Sequence, residues 1–295
     1  MKKLIIPSAE VKTLLNIFPH GVIAFDVETT GLSPFSDKMI ELAAVKVDAN
    51  GNIETFRTLI NPECEIPQQT IDIHGITNLM THQAPSIEKV LPEFMSFIED
   101  LPLIAHNAQF DIGFLIRESQ QLEISLGTHD IYDSCQIARS AFKKKEKVPT
   151  NFKLSSLAEF FEIPLNHHQA LDDSIASLRI FARALELVES DKPHFIKTRC
   201  LLFNTDSLKK IQTEDLDKKH ALLVEKIPTQ ESVYITYKGG TRGDEPRPIR
   251  PIGLIPLPQG LVLYAECLLT KVHKSFLVKK IKTVEEKGVY ENSEK

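Results

Sequence analysis

The hydrophobic pattern predicts an α/β fold, a mixed sheet flanked by helices, followed by a small β-rich domain. Three observations carry this reading. Three apolar, strand-like runs come first. Strand-like and helix-like segments then alternate to about residue 188. Short strands with Pro/Gly-rich connections close the chain.

Residues 8–18 read as a short amphipathic lead-in, with Val11, Leu14, Leu15 and Phe18 at helical spacing. Residues 21–28, 39–47 and 53–60 read as three antiparallel strands, the last two joined across the hairpin signal Asn50-Gly51. Residues 66–80 are polar and turn-rich. Residues 86–100 form a helical pattern with Ser86 as N-cap and Ile87, Val90, Leu91, Phe94 and Ile98 as its stripe, where Pro92 is expected to divide the helix. A short strand at 101–105, a helix at 111–122, a strand at 129–132 and helices at 134–142, 154–161 and 170–188 follow. The stretch after Ser190-Asp191-Lys192-Pro193 changes character: 206–226 is charged and partly helical, and strand-like runs lie at 232–237, 261–269 and 276–284.

A length of 295 residues suggests more than one domain. The expected division is a first domain over 1–190, a linker with a helix over 191–228, a β domain over 229–288 and a tail over 289–295. With 42% hydrophobic and 25% charged residues, the composition is that of a soluble protein. No apolar run approaches a membrane span and the start lacks a signal-peptide core, so no membrane partner is expected. Cys64, Cys135, Cys200 and Cys267 are scattered without a Cys-x-x-Cys, as expected for reduced thiols in a cytoplasmic protein. The net charge of −5 is unevenly spread: residues 1–190 carry 16 Lys/Arg against 26 Asp/Glu, and the remainder 19 against 14. An acidic first part can hold metal and a basic second part can attract phosphate.

The chemistry centres on Phe25-Asp26-Val27-Glu28-Thr29-Thr30-Gly31-Leu32. Strand side chains alternate, so Asp26 and Glu28 share a face at a strand end. Two acids on one face repel unless a cation lies between them, and hard oxygen ligands suit a divalent ion. A chance Asp-x-Glu on an exposed face fits this stretch equally well. Asp111 opens a helix after a short strand, where an acid also serves the helix dipole. His168 and Asp173 are five residues apart, a spacing that fits a loop histidine and an acid in a first helical turn. His167 and Asp172 repeat that spacing.

Taken together, three segments closely resemble the motifs of the DEDDh exonuclease family, which includes the proofreading (epsilon) subunit of bacterial DNA polymerase III. They are the stretch around Asp26, then Ala105-His106-Asn107-Ala108-Gln109-Phe110-Asp111, then His168-Gln169-Ala170-Leu171-Asp172-Asp173. His74-Gly75-Ile76-Thr77 falls where many polymerase-III-like members carry the same residues. The resemblance covers residues 20–188. It implies a ribonuclease-H-like fold, and Asp26, Glu28, Asp111 and Asp173 as ligands of two Mg²⁺ or Mn²⁺ ions. His168 would be the general base, since the His168–Asp173 register puts Ala170 in the motif's small-residue slot. Thr29, Thr30, Leu32, Asn107 and Phe110 would contact the terminal nucleotides. The expected activity is 3′→5′ removal of nucleoside monophosphates from single-stranded ends, DNA before RNA, in a proofreading or repair setting with an undetermined polymerase or repair partner.

Residues 220–287 are similar to a WYL domain, through Val233-Tyr234-Ile235-Thr236-Tyr237, the Pro246–Leu254 stretch and the runs at 261–267 and 274–281. That resemblance implies a small Sm/SH3-like barrel and an accessory nucleic-acid contact through Arg247, Arg250, Lys274 and Lys280. Of the naming Trp-Tyr-Leu triplet only Leu263 is present, and the chain has no Trp. A different expectation follows if this module governs: a non-catalytic, nucleic-acid-binding regulatory protein.

Overall fold

The computed structural model describes residues 6–143, 145–166, 168–189, 191–206, 220–239, 243, 245–257 and 260–286. It divides into two compact units, residues 1–31 with 37–206 and residues 32–36 with 207–295.

The first unit is built on β1 (Gly21–Thr29), β2 (Met39–Asp48) and β3 (Ile53–Leu59), an antiparallel meander. Asp48 shapes the β2–β3 turn by accepting the backbone N–H groups of Asn50 and Asn52, both at 2.8 Å. β4 (Leu103–Ala105) adds parallel to β1, and β5 (Asp130–Asp133) parallel to β4. β6 (Leu201–Asn204) closes the sheet antiparallel to β5, giving the order β3-β2-β1-β4-β5-β6. β6 lies in the stretch read from sequence as linker, where an isolated four-residue run carries too little periodicity to be seen.

Helices cover both faces. They are α1 (Ser8–Leu15), α2 (Gln68–His74), α3 (Asn78–Thr81), α4 (Ile87–Ile98), α5 (Gln109–Gln121), α6 (Ser134–Phe142), α7 (Leu154–Phe160), α8 (Ala170–Glu186) and α9 (Lys192–Arg199). Val22 and Ala24 of β1 share a core cluster with Val45, Ile104, Ala176, Ile180 and Phe181. The opposite face carries Phe25, whose ring lies 6.2 Å from that of Phe94 on α4. Ala170, Ser174, Ala176 and Ser177 are fully buried, and these small side chains let α8 lie close to the sheet. Pro92 does not divide α4, which is one helix from Ile87 to Ile98. The missing N–H costs one helical bond, but Leu91 and Phe94 beside it are fully buried and hold both halves to the core. The turn-rich 66–80 stretch contains α2, ended by Gly75 in the left-handed conformation (φ 73°), and α3.

α1 is locked to α8 by a buried charge cluster. Glu10, 1% exposed, accepts from Arg179 Nε at 2.8 Å and pairs with Arg183 at 2.9 Å. Removing one partner of a buried pair leaves the other charge uncompensated. Glu10→Ala should therefore cost about 3–5 kcal/mol in urea unfolding; a loss under about 1 kcal/mol, the scale of an exposed pair, would contradict this assignment.

The second unit has one helix among its described residues, α10 (Ala221–Thr229), and a five-stranded antiparallel sheet. Its strands are β7 (Val233–Tyr237), β8 (Arg247–Leu257), β9 (Gly260–Cys267), β10 (Val272–Leu277) and β11 (Ile281–Glu286), in the order β10-β9-β8-β7-β11. Leu223 of α10 is buried with Val233, Ile235, Ile249, Leu263 and Phe276. The helix expected within 206–226 falls mostly outside the described residues, as does the 289–295 tail. The Pro/Gly/Arg-rich stretch at 239–258 holds the longest strand of this sheet rather than only a connection. Pro248, Pro251 and Pro256 mask the strand signal, and the β8–β9 register shifts between Pro251 and Gly253.

Candidate active site

Asp26 and Glu28 continue the Val22–Ala24 face of β1 to the C-terminal end of the strand, where both are half-buried. β4 runs parallel to β1, so its own C-terminal end emerges beside them. The chain turns through Asn107, whose left-handed backbone (φ 58°) permits the abrupt entry into α5. Asp111, in the first turn of α5 and 3% exposed, accepts the Val27 backbone N–H at 3.2 Å. That bond ties the second motif to the residue between the two acids of the first.

Asp173 lies in the first turn of α8 and is 4% exposed. Its Oδ2 accepts the His168 backbone N–H at 3.1 Å, which pins the preceding loop, and His168 itself is left-handed (φ 68°). Ligand atoms of Glu28, His168 and Asp173 all lie within 4.8 Å of one another. His167, the other register, lies outside the described residues.

The electrostatics bring the four acids together. Burial first, then the charges of Asp111, Asp173, Glu28 and Glu41, pushes the Asp26 carboxyl well above its ordinary range. Burial, then Asp173, Glu41 and Asp111, pushes Glu28 up to about 8. Asp111 is also raised to about 8: burial outweighs the backbone N–H groups that favour its ionised form, and Asp133 and Asp173 add to the rise. Neighbouring acids push all three groups the same way. A set of closely placed oxygen ligands of this kind fits one or more hard divalent cations.

Glu41 and His74 were not among the sequence candidates. Glu41 sits opposite Glu28 in the β1–β2 register and is 1% exposed. Its signal was an acid inside the apolar run 39–47. His74, at the end of α2, accepts the Ile76 N–H on Nδ1 at 3.0 Å. Its imidazole is shifted down, by burial first and by His168 among its charged neighbours, with Glu41 and the Thr29 backbone opposing.

The expected substrate contacts have mixed surroundings. Thr29 and Thr30 are buried, and their hydroxyls serve the turn: Thr29 Oγ1 donates to the Gly31 carbonyl at 2.6 Å, and Thr30 Oγ1 accepts from Lys38 N–H at 2.9 Å. Leu32 is 72% exposed. Asn107 is exposed and donates its backbone N–H to Asp133, which also caps α6 through Cys135 and Gln136. Phe110 is half-buried with its ring 5.2 Å from that of Phe114. In the second unit Arg247 is buried, with Nη1 3.1 Å from Cys267 Sγ, and Arg250 pairs with Glu266 across β8 and β9. Lys274 is half-buried on β10, and Lys280 is exposed in the single 3₁₀ turn at Val278–Lys280.

Comparison with known proteins places this architecture among exonuclease folds. The chain is similar to exonuclease I, at 16% identity over 93% of this chain and 66% of that one, with a TM-score of 0.52. It is also similar to E. coli exonuclease I in complex with a 5cy-dT13 oligonucleotide, at 15% identity over 93% and 67%, with a TM-score of 0.50. At these identities the likeness is one of fold. A family model described as exonuclease (RNase_T) matches residues 23–181, which contain all three acidic segments, and the chain belongs to that family.

Relatives include the PolC-type DNA polymerase III of Caldanaerobacter subterraneus subsp. tengcongensis, 37% identical over 57% of this chain and 12% of that protein. The PolC-type DNA polymerase III of Clostridium perfringens is 30% identical over 88% of this chain and 18% of that protein. The chain thus spans under a fifth of the length of either polymerase. Among the described residues no helix is long and apolar enough to cross a membrane.

The acid cluster sets a pH dependence. In the metal-free folded protein, Glu28 and Asp111 hold protons up to about pH 8; unfolded, each would lose its proton near its ordinary value of 4.5 or 3.8. The folded state therefore binds more protons across that window, and stability falls as pH rises through it. The thermal midpoint in chelator should drop between pH 5 and pH 8, and Mn²⁺ or the double variant Glu28→Gln, Asp111→Asn should flatten the drop. A midpoint that rises with pH in chelator would contradict the clustering.

Proposed function

We propose that this chain is a metal-dependent 3′→5′ exonuclease acting on single-stranded 3′ ends, DNA before RNA, releasing nucleoside 5′-monophosphates. The observation that carries the proposal is the convergence of Asp26, Glu28, Asp111 and Asp173, from three distant stretches of chain, with His168 beside them. The four carboxylates would hold two Mg²⁺ or Mn²⁺ ions. When bound, such a pair supplies an activated water and a stabilised leaving oxygen for in-line displacement at phosphorus.

The chain's own groups do the rest. Asp111 and Asp173, both nearly fully buried and held by backbone N–H bonds to Val27 and His168, keep a fixed geometry. His168 is half-buried, so its imidazole has solvent access. In its neutral form it accepts the proton of the attacking water and passes it to solvent. Leu32, Asn107 and Phe110 are accessible enough to meet the terminal nucleotides by stacking and backbone contact, which tolerates sequence. Thr29 and Thr30 contribute through backbone atoms, because their hydroxyls are engaged. The PolC-type relatives support a proofreading setting, with a repair setting as the other reading.

With 5′-labelled oligonucleotide and Mg²⁺, the full chain should give a ladder shortening from the 3′ end, and a blocked 3′ end should stop it. DNA shortened faster than RNA supports the substrate order; the reverse assigns RNA trimming; a mobility shift without shortening means a binding protein. His168→Ala should keep Mn²⁺ binding and lose about 10²–10⁴ in rate. An undiminished rate would remove the general-base role.

We also propose that the second sheet is a WYL-like, Sm/SH3-like accessory module that holds single-stranded nucleic acid by its phosphates. Its antiparallel strands and basic excess support this reading. Lys274 and Lys280 are the better candidates for contact, because Arg247 is buried and Arg250 is paired with Glu266. Lys274→Ala with Lys280→Ala should weaken oligonucleotide binding and lower its salt slope by about one to two. An unchanged slope would reject phosphate contact there.

A further inference from the structure

We propose that Glu41 is a positioning residue: it anchors the start of α8, and through it Asp173 and His168, in register with the acids of β1. The proposal rests on the nuclease reading above and deepens it.

The first N–H groups of any helix lack partners within it. At α8 the residue before the helix, Gln169, supplies no side-chain cap. The N–H of Ala170 instead donates to Glu41 Oε2 at 3.3 Å, a bond between residues 129 apart in the chain. The other oxygen, Oε1, accepts Arg57 Nε at 2.6 Å. A carboxylate borrowed from the sheet therefore caps the helix, where the dipole favours negative charge. Arg57, on the neighbouring strand and half-exposed, holds the other oxygen of that carboxylate.

One helical turn further on, Asp173 takes the His168 backbone N–H. The connection thus runs from β3 through β2 to the helix that presents the last acid, and back to the loop that presents the imidazole. Asn166 Nδ2 also donates to Asp172 at 2.7 Å, but that bond joins the helix only to its own preceding loop, whereas the Ala170–Glu41 bond reaches the sheet.

The charge of Glu41 makes sense only on geometric grounds. It lies directly across from Glu28 and adds to the repulsion felt by both Asp26 and Glu28. An acid that only made the cluster more acidic would be a liability in the metal-free fold. Its two oxygens take the Arg57 and Ala170 donors separately, and its charge suits both the guanidinium and the helix end. Glutamine keeps an acceptor oxygen for the Ala170 N–H but gives up the charge pair with Arg57.

The test uses the full chain with Glu41→Ala, Glu41→Gln, Glu41→Asp and Arg57→Ala, each read by hydrogen exchange in chelator and by Mn²⁺ titration calorimetry. Glu41→Ala should speed exchange in peptides covering residues 168–180 relative to the rest of the first unit. It should also weaken Mn²⁺ binding about 10- to 100-fold, the range for losing a group that orients metal ligands. Glu41→Gln should restore slow exchange at those peptides and recover part of the Mn²⁺ affinity. Wild-type exchange in Glu41→Ala, or exchange in Glu41→Gln as fast as in Glu41→Ala, overturns the proposal. Arg57→Ala, which like Glu41→Gln spares the Ala170 bond, should leave exchange at 168–180 slow. If Glu41→Ala does not fold, Glu41→Asp, which draws the carboxylate back from Ala170, decides: faster exchange confined to 168–180 supports the anchor, and unchanged exchange removes it. If the wild-type chain binds no Mn²⁺, the nuclease reading fails, while the exchange comparison still decides the role of Glu41.

Discussion

Mutual repulsion among closely placed carboxylates governs how the first unit is built. Asp111 and Asp173 both raise the proton affinity of Asp26 and Glu28, and Asp173 raises that of Asp111. Left alone, such a group would push its elements apart. The fold resists through bonds that do not involve the carboxylates' charges with one another. The apolar faces of β1 are sealed on both sides, α5 is tied to β1 by the Val27 N–H, and α8 is seated by small residues and by its lock to α1. The scaffold stores an electrostatic strain that divalent cations would relieve, which couples metal binding to stability.

Much of this was legible from sequence, for a physical reason. Asp26, Glu28, Asp111, His168 and Asp173 each have an ordinary strand-end or helix-start reading alone; it is the resemblance of their three segments to the DEDDh motifs that joins them into one candidate site. The meander and the α/β alternation were legible because each element buries one face. What escaped was structure whose signal is tertiary. Glu41 reads as one acid in an apolar strand, and its helix bond joins residues 129 apart. α2 is a helix of seven residues with no buried side chain, so it has no stripe to detect. β6 is a strand only because β5 lies beside it.

The second unit shows the opposite failure. Proline and glycine content hid β8, whose pairing survives because the register shift absorbs the irregularity. Its basic residues were visible as charges, but their availability was not. Arg247 is spent on a buried contact with Cys267, and Arg250 faces Glu266. A net positive count is therefore a weak guide to a phosphate-binding surface; exposure and pairing of each cation decide it.

If the four acids form one divalent-cation centre, anomalous diffraction from crystals of the full chain grown with Mn²⁺ should show two peaks about 3.5–4 Å apart, bounded by Asp26, Glu28, Asp111 and Asp173. Peaks confined to other acids, or none at this cluster in Mn²⁺-saturated crystals, would contradict it.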